Sequence, residues 1–414
     1  MKRLLVLWAS LGVVNCTLAQ RECGSFEYEQ RLAQQEPSSG IARLLARDFV
    51  SKYTSNVNSS SARIAEFKLI TIPVVVHILY HYPGENIPDA VVKSQIEALN
   101  RDFRKLNADT IKIPDAYKPL AADCGIQFQL ATVDARGVAS TGIVRKYTPI
   151  TRWSSDDKIK FSSEMGDDAW DASSYLNIWV GTLNLNGYSS SPGDHANTDG
   201  IVVNNAAFGA ANSTAYNKGR TAVHEVGHWL GLRHLWGDAF CGDDGIDDTP
   251  KQQTFTSGCP SSVRISCGNA PHGDMYMNFM DFTNDDCLLM FTHGQKQRML
   301  ALFEPGGPRN SLLTSKGLSV PVIEQYPLPE TPPQWLHIQI FPNPVKTELT
   351  VNTQYDPRWV GKQLKIYNVT GQLQFTKTIS STVEKLDISN LKKGIYVISA
   401  QKEGERILQK FVKF

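Results

Sequence analysis

Residues 224–234 read HEVGHWLGLRH, and their types and spacing suit metal chemistry. His224 and His228 are four apart, so on a helix they lie one turn apart on the same face. Two imidazoles stacked this way present their free ring nitrogens to one ion, about 2.0–2.1 Å away for zinc. Glu225 is rotated off their line and reaches past the metal to a water. Gly231 follows where a sharply turning helix end needs positive φ, and the turned chain returns His234 as a third ligand. Three histidines leave a fourth position for water, the arrangement of a catalytic rather than a structural zinc. A bare HExxH arises by chance, but the added glycine and third histidine make three structural histidines a poor account of the stretch.

Other residues bear on such a centre. Met280, in Met277-Asn278-Phe279-Met280-Asp281-Phe282, would give the histidines an apolar, polarisable floor, or would be ordinary core. Asp285 and Asp286 precede Cys287; a carboxylate anchored by a neighbouring disulfide would line a pocket for a basic side chain, against the plainer reading of a solvated pair. Asp243, Asp244, Asp247 and Asp248 crowd a short Gly-containing loop, where they repel unless solvated or neutralised; hard oxygen ligands there suit calcium, although the spacing is not that of an EF-hand. Near the N-terminus, Cys23 offers a thiolate that would displace a catalytic water from zinc. Its alternatives are no role, or pairing with Cys124.

These residues need elements to position them. Ile72–Tyr80 reads as a buried strand. Asp89 is expected to cap a helix from Ala90 to about Leu106, whose Val92, Ile96, Leu99 and Phe103 follow a 3–4 spacing. Strands are expected at Ile126–Val133, Tyr175–Val180 and Asp199–Asn204, and a closing helix at Gly294–Phe303. That alternation, feeding the zinc helix, predicts a mixed sheet with helices packed on it. His77, His81 and His195 read as structural or solvated. The leader shows a helical pattern through Ile41–Arg47, then the polar stretch Thr54–Ser61, expected to be flexible and open to proteolytic nicking. Prolines 321, 327, 329, 332 and 333 mark an extended linker, and beyond it Gln363–Val369, Leu373–Thr378 and Ile395–Gln401 alternate like strands of a small all-β sandwich.

The 414 residues suffice for two domains with flanking segments. A hydrophobic fraction of 41% and a formal charge of +1 describe an ordinary folded chain and give no case for nucleic-acid binding. The balance hides an asymmetry: residues 225–290 carry a net of −7 and residues 335–414 a net of +6. Met1-Lys2-Arg3, the apolar run Leu4–Val14 and the small residues near Ala19 read as a secretory signal peptide too short to span a bilayer. Export permits disulfides. Cys16 would leave with the signal, and the cluster Cys241, Cys259, Cys267 and Cys287 allows three pairings.

Residues 21–310 resemble the pappalysin family of metzincin metallopeptidases, particularly its ulilysin-like bacterial branch, through HEVGHWLGLRH, the turn NFMDF and the strands IPVVVHILY and DGIVVNNAAFG. The resemblance implies an α/β (α+β) peptidase domain with a mixed sheet and active-site helix. It implies His224, His228 and His234 as zinc ligands, Glu225 as general base and Met280 as the Met-turn residue. It also implies disulfides Cys241–Cys267 and Cys259–Cys287, and RECGS as a cysteine switch holding Cys23 on zinc in a latent form. Asp286, just before the last of these cysteines, takes the place that selects a basic residue after the scissile bond. Asp243, Asp244, Asp247 and Thr249 map to calcium sites. One departure stands out: Phe282 occupies a place where the family usually has Tyr. The last eighty residues resemble the C-terminal sorting domain of type IX secretion cargo, through FPNPVKTELTV, LKIYNVTGQL and LKKGIYVISA.

The expected organisation is thus a signal peptide (1–19), a propeptide (20–62), a catalytic domain (63–318), a linker (319–334) and a β-sandwich sorting domain (335–414). The expected function is a secreted zinc endopeptidase of a Gram-negative bacterium, made as a zymogen and carried through the periplasm to the medium or the outer-membrane surface. Its partners would be protein and peptide substrates and the type IX machinery. Arg63 suggests an activating cut at Ala62–Arg63. Two rival readings are a catalytically weak or inactive zinc-binding surface protein, motivated by Phe282, and a carbohydrate-binding adhesin, for which Trp335 and Trp359 are too few.

Overall fold

The organising strand is β1 (Ile70–Tyr80), whose β-branched run is buried along almost its whole length. The computed structural model describes residues 21–59, 69–209, 215–322, 338–354, 356–402 and 405–414. The signal peptide, the Ala62–Arg63 bond, most of the proline-rich linker and Trp335 lie outside them.

The leader forms α1 (Ser25–Gln35) and α2 (Pro37–Ser59). The polar stretch from Thr54 is therefore helical as far as Ser59, and Thr54 and Ser55 return their hydroxyls to the carbonyls of Val50 and Ser51. After β1 come α3 (Asp89–Phe103), β2 (Ile126–Leu130), β3 (Ile143–Tyr147), β4 (Leu176–Gly181), β5 (Gly187–Ser189) and β6 (Ile201–Asn204). Asp89 is the first residue inside its helix rather than the cap. Pro88, in an extended conformation, occupies the cap position, and the carboxylate of Asp89 complements the helix dipole from within.

The sheet order is β2-β1-β4-β6-β5, with β3 alongside the second half of β1. All pairs are parallel except β5, which runs antiparallel to β6 and forms an edge. Along β1 the period-2 alternation sends Ile72, Val74, Val76 and Ile78 into one core, shared with α3 (Val92, Ile96, Leu99, Phe103), α4 (Arg220–Trp229) and α5 (His293–Ala301). Leu79 faces a smaller cluster on the other side with Trp179, Tyr188 and Val202. The leader enters both cores, through Val50 in the first and Tyr28 in the second.

The C-terminal residues form two antiparallel sheets. One has the order β10-β9-β12-β13, from Leu373–Thr378, Gln363–Asn368, Gly394–Lys402 and Glu405–Lys413; the other has the order β11-β8-β7, from Val383–Asp387, Glu348–Asn352 and Gln339–Phe341. Leu349, Val351, Leu364, Ile366, Leu386, Ile398 and Phe411 fill the core they share, giving the expected sandwich. Trp359 is buried in that core beneath the Lys402 amine, so it is no surface platform for a sugar. Among the described residues no helix is long and apolar enough to cross a membrane.

Candidate active site

Two buried arginines clamp the ends of α4. At its start, the Arg220 guanidinium bonds to Asp102 and Asp109 and to the Asp285 carbonyl. At its end, Arg309 donates to Asp199 at 2.8 Å and to the Trp229 carbonyl, and lies 4.0 Å over the Trp229 ring. Gly231 then takes φ +79°, and Gly231 and Leu232 donate to the carbonyls of His228 and Gly227. The chain reverses there and His234 comes back.

The three histidines meet through Nε2, 3.1 Å between His224 and His228, 3.1 Å between His228 and His234, and 3.3 Å between His224 and His234. Each Nδ1 faces an acceptor: the Phe279 carbonyl for His224 at 2.7 Å, the Leu232 carbonyl for His228 at 3.0 Å, and the Asp238 carboxylate for His234. Each ring therefore keeps its proton on Nδ1, and three Nε2 lone pairs converge with no hydrogen between them. Such a trio repels itself unless a cation sits among it, and tetrahedral ligands of one zinc stand roughly 3.3 Å apart. Burial lowers the pKa of His224 well below the ordinary value and that of His228 to about 3, which keeps both rings neutral and ready to ligate. The donor set fits zinc.

Cys23 completes the group: its Sγ and the three Nε2 atoms all lie within 4.8 Å of one another. Cys23 pairs in parallel with Gly187 of the edge strand β5, with Gly24 N–H donating to the Gly187 carbonyl at 2.9 Å and Asn186 N–H to the Glu22 carbonyl at 2.9 Å. Glu225 is buried beside it, accepting from Ser25 Oγ at 2.9 Å, and burial pushes its pKa up to about 7. A Cβ at Gly187 would come within 2.9 Å of Glu225 Cγ, so a glycine is what lets the edge strand approach this carboxylate.

Met280 is fully buried under the histidines, and a Cβ at Gly227 would lie 2.5 Å from its Sδ. Asn278 holds the turn by donating to and accepting from Gln295 and by accepting from Met280 N–H. Phe282 walls the site, its ring 4.9 Å from that of His234 and 5.6 Å from that of His224. Disulfides join Cys241 to Cys267 and Cys259 to Cys287, the pairing the resemblance implies. Cys124 stays a free thiol, buried in the main core, where burial pushes its pKa up to a value that leaves it protonated.

The two carboxylates before Cys287 face different surroundings. Asp286 is 66% exposed and pairs with Lys218 at 2.7 Å. Its neighbour Asp285 is fully buried and binds the guanidinium of Arg21, which also donates to Thr221 Oγ1 at 3.3 Å and lies 5.0 Å from the Tyr216 ring centre. Asp285 points inward because its second oxygen accepts from Lys218 N–H at 2.7 Å and from Arg220 N–H at 3.2 Å. In the acidic loop, Asp243 and Asp247 are exposed while Asp244 and Thr249 are buried. Asp244 accepts from Thr249 Oγ1 at 2.8 Å and Asp243 from Gly245 N–H at 2.7 Å, while Asp248 binds Thr292 and Gly294 at the start of α5. Among the described residues, only Cys23 and the three histidines gather as a metal-ligand group. His77, His81 and His195 bond to Asp167, to the Thr148 carbonyl and to Glu36, as structural residues do.

Helix, returning histidine and methionine turn together define a metzincin-type zinc peptidase. The chain belongs to the pappalysin family: the family profile described as Pregnancy-associated plasma protein-A matches residues 160–304. An "Extracellular metalloprotease" of Arthroderma benhamiae is 31% identical over 271 residues, 61% of this chain and 86% of its own. Mature mirolysin of Tannerella forsythia, solved with a cleaved peptide, shares 44% identity and a TM-score of 0.59, covering 60% of this chain and 96% of its own. The promirolysin mutant E225A of the same organism shares 40% identity and a TM-score of 0.63, covering 72% and 98%. The profile of the secretion system C-terminal sorting domain matches residues 339–413. The chain is thus an extracellular zinc metallopeptidase with a type IX sorting tail.

Sequence reasoning named Asp285 beside Asp286 without separating their roles, and it missed Arg21, Arg220, Arg309 and Asp199. A lone Arg two residues before Cys23 was the available signal for Arg21. The buried arginine clamps leave no local pattern.

Proposed function

We propose that the protein is an endopeptidase made in a latent form, which cleaves before Arg or Lys once its leader has gone. The observation that carries this reading is the leader's own course across the centre, with Arg21 on Asp285 and Cys23 at the three histidines. Bound zinc supplies Lewis acidity, polarising a peptide carbonyl and acidifying a water. Glu225, poised near neutrality by burial, takes the proton from the attacking water and passes it to the leaving amine. Asp285 and Tyr216 hold the cationic side chain after the scissile bond, as they hold Arg21. Residues 20–62 act as the propeptide, and Cys23 excludes the water until they are removed. The route runs through the periplasm of a Gram-negative bacterium, and the tail is removed or attached at the outer membrane.

The test uses the full secreted chain. Wild type carries one zinc per chain and cleaves a peptide library before Arg or Lys after leader removal, while Glu225→Ala keeps the zinc and loses turnover. Cys23→Ala shortens the lag before activity. Turnover by Glu225→Ala at the wild-type rate would sink the mechanism.

Phe282 favours a second reading, a zinc-bearing surface protein of low turnover, because its ring brings no hydroxyl to the metal site. Stoichiometric zinc with no cleavage of the library would select it. Calcium at Asp243, Asp244, Asp247 and Thr249 also remains a proposal. Burial pushes Asp244 up to a pKa of about 7, and a divalent cation would relieve that cost. Calcium addition should then raise the Tm of wild type and not of Asp244→Asn.

A further inference from the structure

The loop after β5 carries a carboxylate that the reading above leaves unused. In Ser191-Pro192-Gly193-Asp194, Asp194 N–H donates to the Ser191 carbonyl at 3.1 Å, and Gly193 takes φ +97°. Pro at the second position and Gly at the third are the requirements of a type II turn. Ser191 N–H donates back to Asp194 Oδ2 at 2.8 Å. Every one of these bonds lies within the loop, so the catalytic domain fixes this carboxylate without help from the leader.

The leader nevertheless seats a cation on it. Arg43 of α2 donates through Nε to Asp194 Oδ1, and both side chains are only 2% exposed. The Arg43 Nη1 group is tied to the Glu29 carbonyl at 3.0 Å, and Nη2 has no partner among the described residues. The fit is close, since a Cβ on Gly193 would stand 2.8 Å from the Ala42 carbonyl oxygen. Burial holds the Asp194 carboxyl above its ordinary range even with Arg43 beside it. When the leader leaves, solvent reaches this carboxylate, and a substrate cation that covers it as Arg43 does regains a charge-assisted hydrogen bond in fixed geometry.

Position decides which cation. Arg43, Ser191, Pro192, His228, His234 and Ser25 line one cavity of about 110 Å³. The leader crosses the metal ligands from Arg21 in the Asp285 pocket, through Cys23, to Ser25 at this cavity. Asp194 is not in that lining, but it closes the turn whose Ser191 and Pro192 are, and Arg43 reaches it from the cavity wall, so it belongs to the side of the centre that the leader reaches after Cys23.

We propose that Asp194 is a second specificity-determining carboxylate, which after the leader departs accepts an Arg or Lys side chain of the substrate on the N-terminal side of the scissile bond. This rests on the reading that Asp285 receives the residue after that bond. Arg233 and Arg298 line the cavity that Arg43 also lines, but each is bonded to backbone carbonyls, Gly237 and Asp243 for the first and Gly231 for the second. Their field tempers the preference to an expected ten-fold or so rather than the full effect of an isolated buried pair.

The experiment takes the full chain after leader cleavage and removal, with peptides carrying Arg after the scissile bond and Arg, Ala or Glu at each of the positions two to four before it. Wild type prefers Arg over Glu by about ten-fold in kcat/KM at one of these positions. Asp194→Asn keeps an acceptor for Ser191 N–H, and it brings that ratio near one while the preference for Arg after the bond persists. Absence of a basic preference at all three positions in wild type, or its persistence in Asp194→Asn, overturns the proposal. If no peptide is cleaved, the activity reading fails instead, and the subsite is read by binding. A synthetic peptide of residues 21–55 then binds the leader-free chain about ten-fold more tightly than its Arg43→Ala form, a difference lost in Asp194→Asn. Equal affinities for wild type overturn the subsite.

Discussion

Asp285 and Asp286 are neighbours of identical chemistry, and exchanging each for Asn separates burial from sequence position. On the proposed reading the Arg21–Asp285 pair, with side chains 1% and 0% exposed, occupies the place a substrate Arg would take. Asn at 285 keeps an acceptor for Lys218 and Arg220 N–H but turns an amide toward the guanidinium. Loss of one charge from a fully buried pair costs about 3 kcal/mol, which is roughly 10²-fold in kcat/KM for peptides with Arg after the bond. Asp286 faces solvent beside Lys218, where a pair contributes under about 1 kcal/mol, so its removal costs less than roughly five-fold. The assay compares matched peptides with Arg or Ala after the bond, with melting curves to confirm folding. The Arg/Ala ratio should collapse in Asp285→Asn and hold in Asp286→Asn. The reverse order would refute the assignment of the pocket.

Gly231→Ala should cost about 1–2 kcal/mol, because φ +79° is unfavourable for a residue with a Cβ; a thermal melt a few degrees below wild type checks this, and Gly231→Asn should lose less. Phe282→Tyr should raise kcat by about ten-fold or more if its hydroxyl reaches the reacting oxygen, following the worth of one preorganised donor; steady-state kinetics read it, and an unchanged kcat removes the missing hydroxyl as a ground for the low-turnover reading. Burial pushes the Asp281 pKa up to about 6 despite its bonds to Thr256, Gln252 and Phe282. A raised carboxyl favours the folded state while protonated, so its contribution is full below about pH 4 and is lost as pH rises to about 6. The difference in Tm between wild type and Asp281→Asn should follow that window, and a difference independent of pH would contradict it.

Much of the centre was legible because its constraints are local. Histidines one turn apart, a glycine at the reversal and a third histidine within reach all lie inside eleven residues. The helix α3 and the strand β1 were equally open to reading, since their apolar periods are long. The three-residue edge strand β5 has no such period and exists only through pairing with β6 and the leader. Asp285 and Asp286 carry the same side chain, and only the backbone N–H groups of Lys218 and Arg220, nearly seventy residues away, decide which one turns inward. Arg309 and Asp199, which fasten the end of the zinc helix, are 110 residues apart, and nothing near either one announces the other.

The leader shares both hydrophobic cores, through Val50 and Tyr28, and this bears on what a single cut accomplishes. While the chain is intact, those contacts are intramolecular, and a tether of this kind holds a segment at an effective concentration of the order of millimolar. On the proposed reading, a cut between residues 59 and 69 leaves the contacts of Val50 and Tyr28 in place and changes the concentration against which the leader must rebind. On that reading a nicked molecule stays plugged wherever its concentration exceeds the leader's dissociation constant, and in a large external volume the leader is lost to dilution. Activation becomes a matter of where the enzyme is as much as of which bond has been cut.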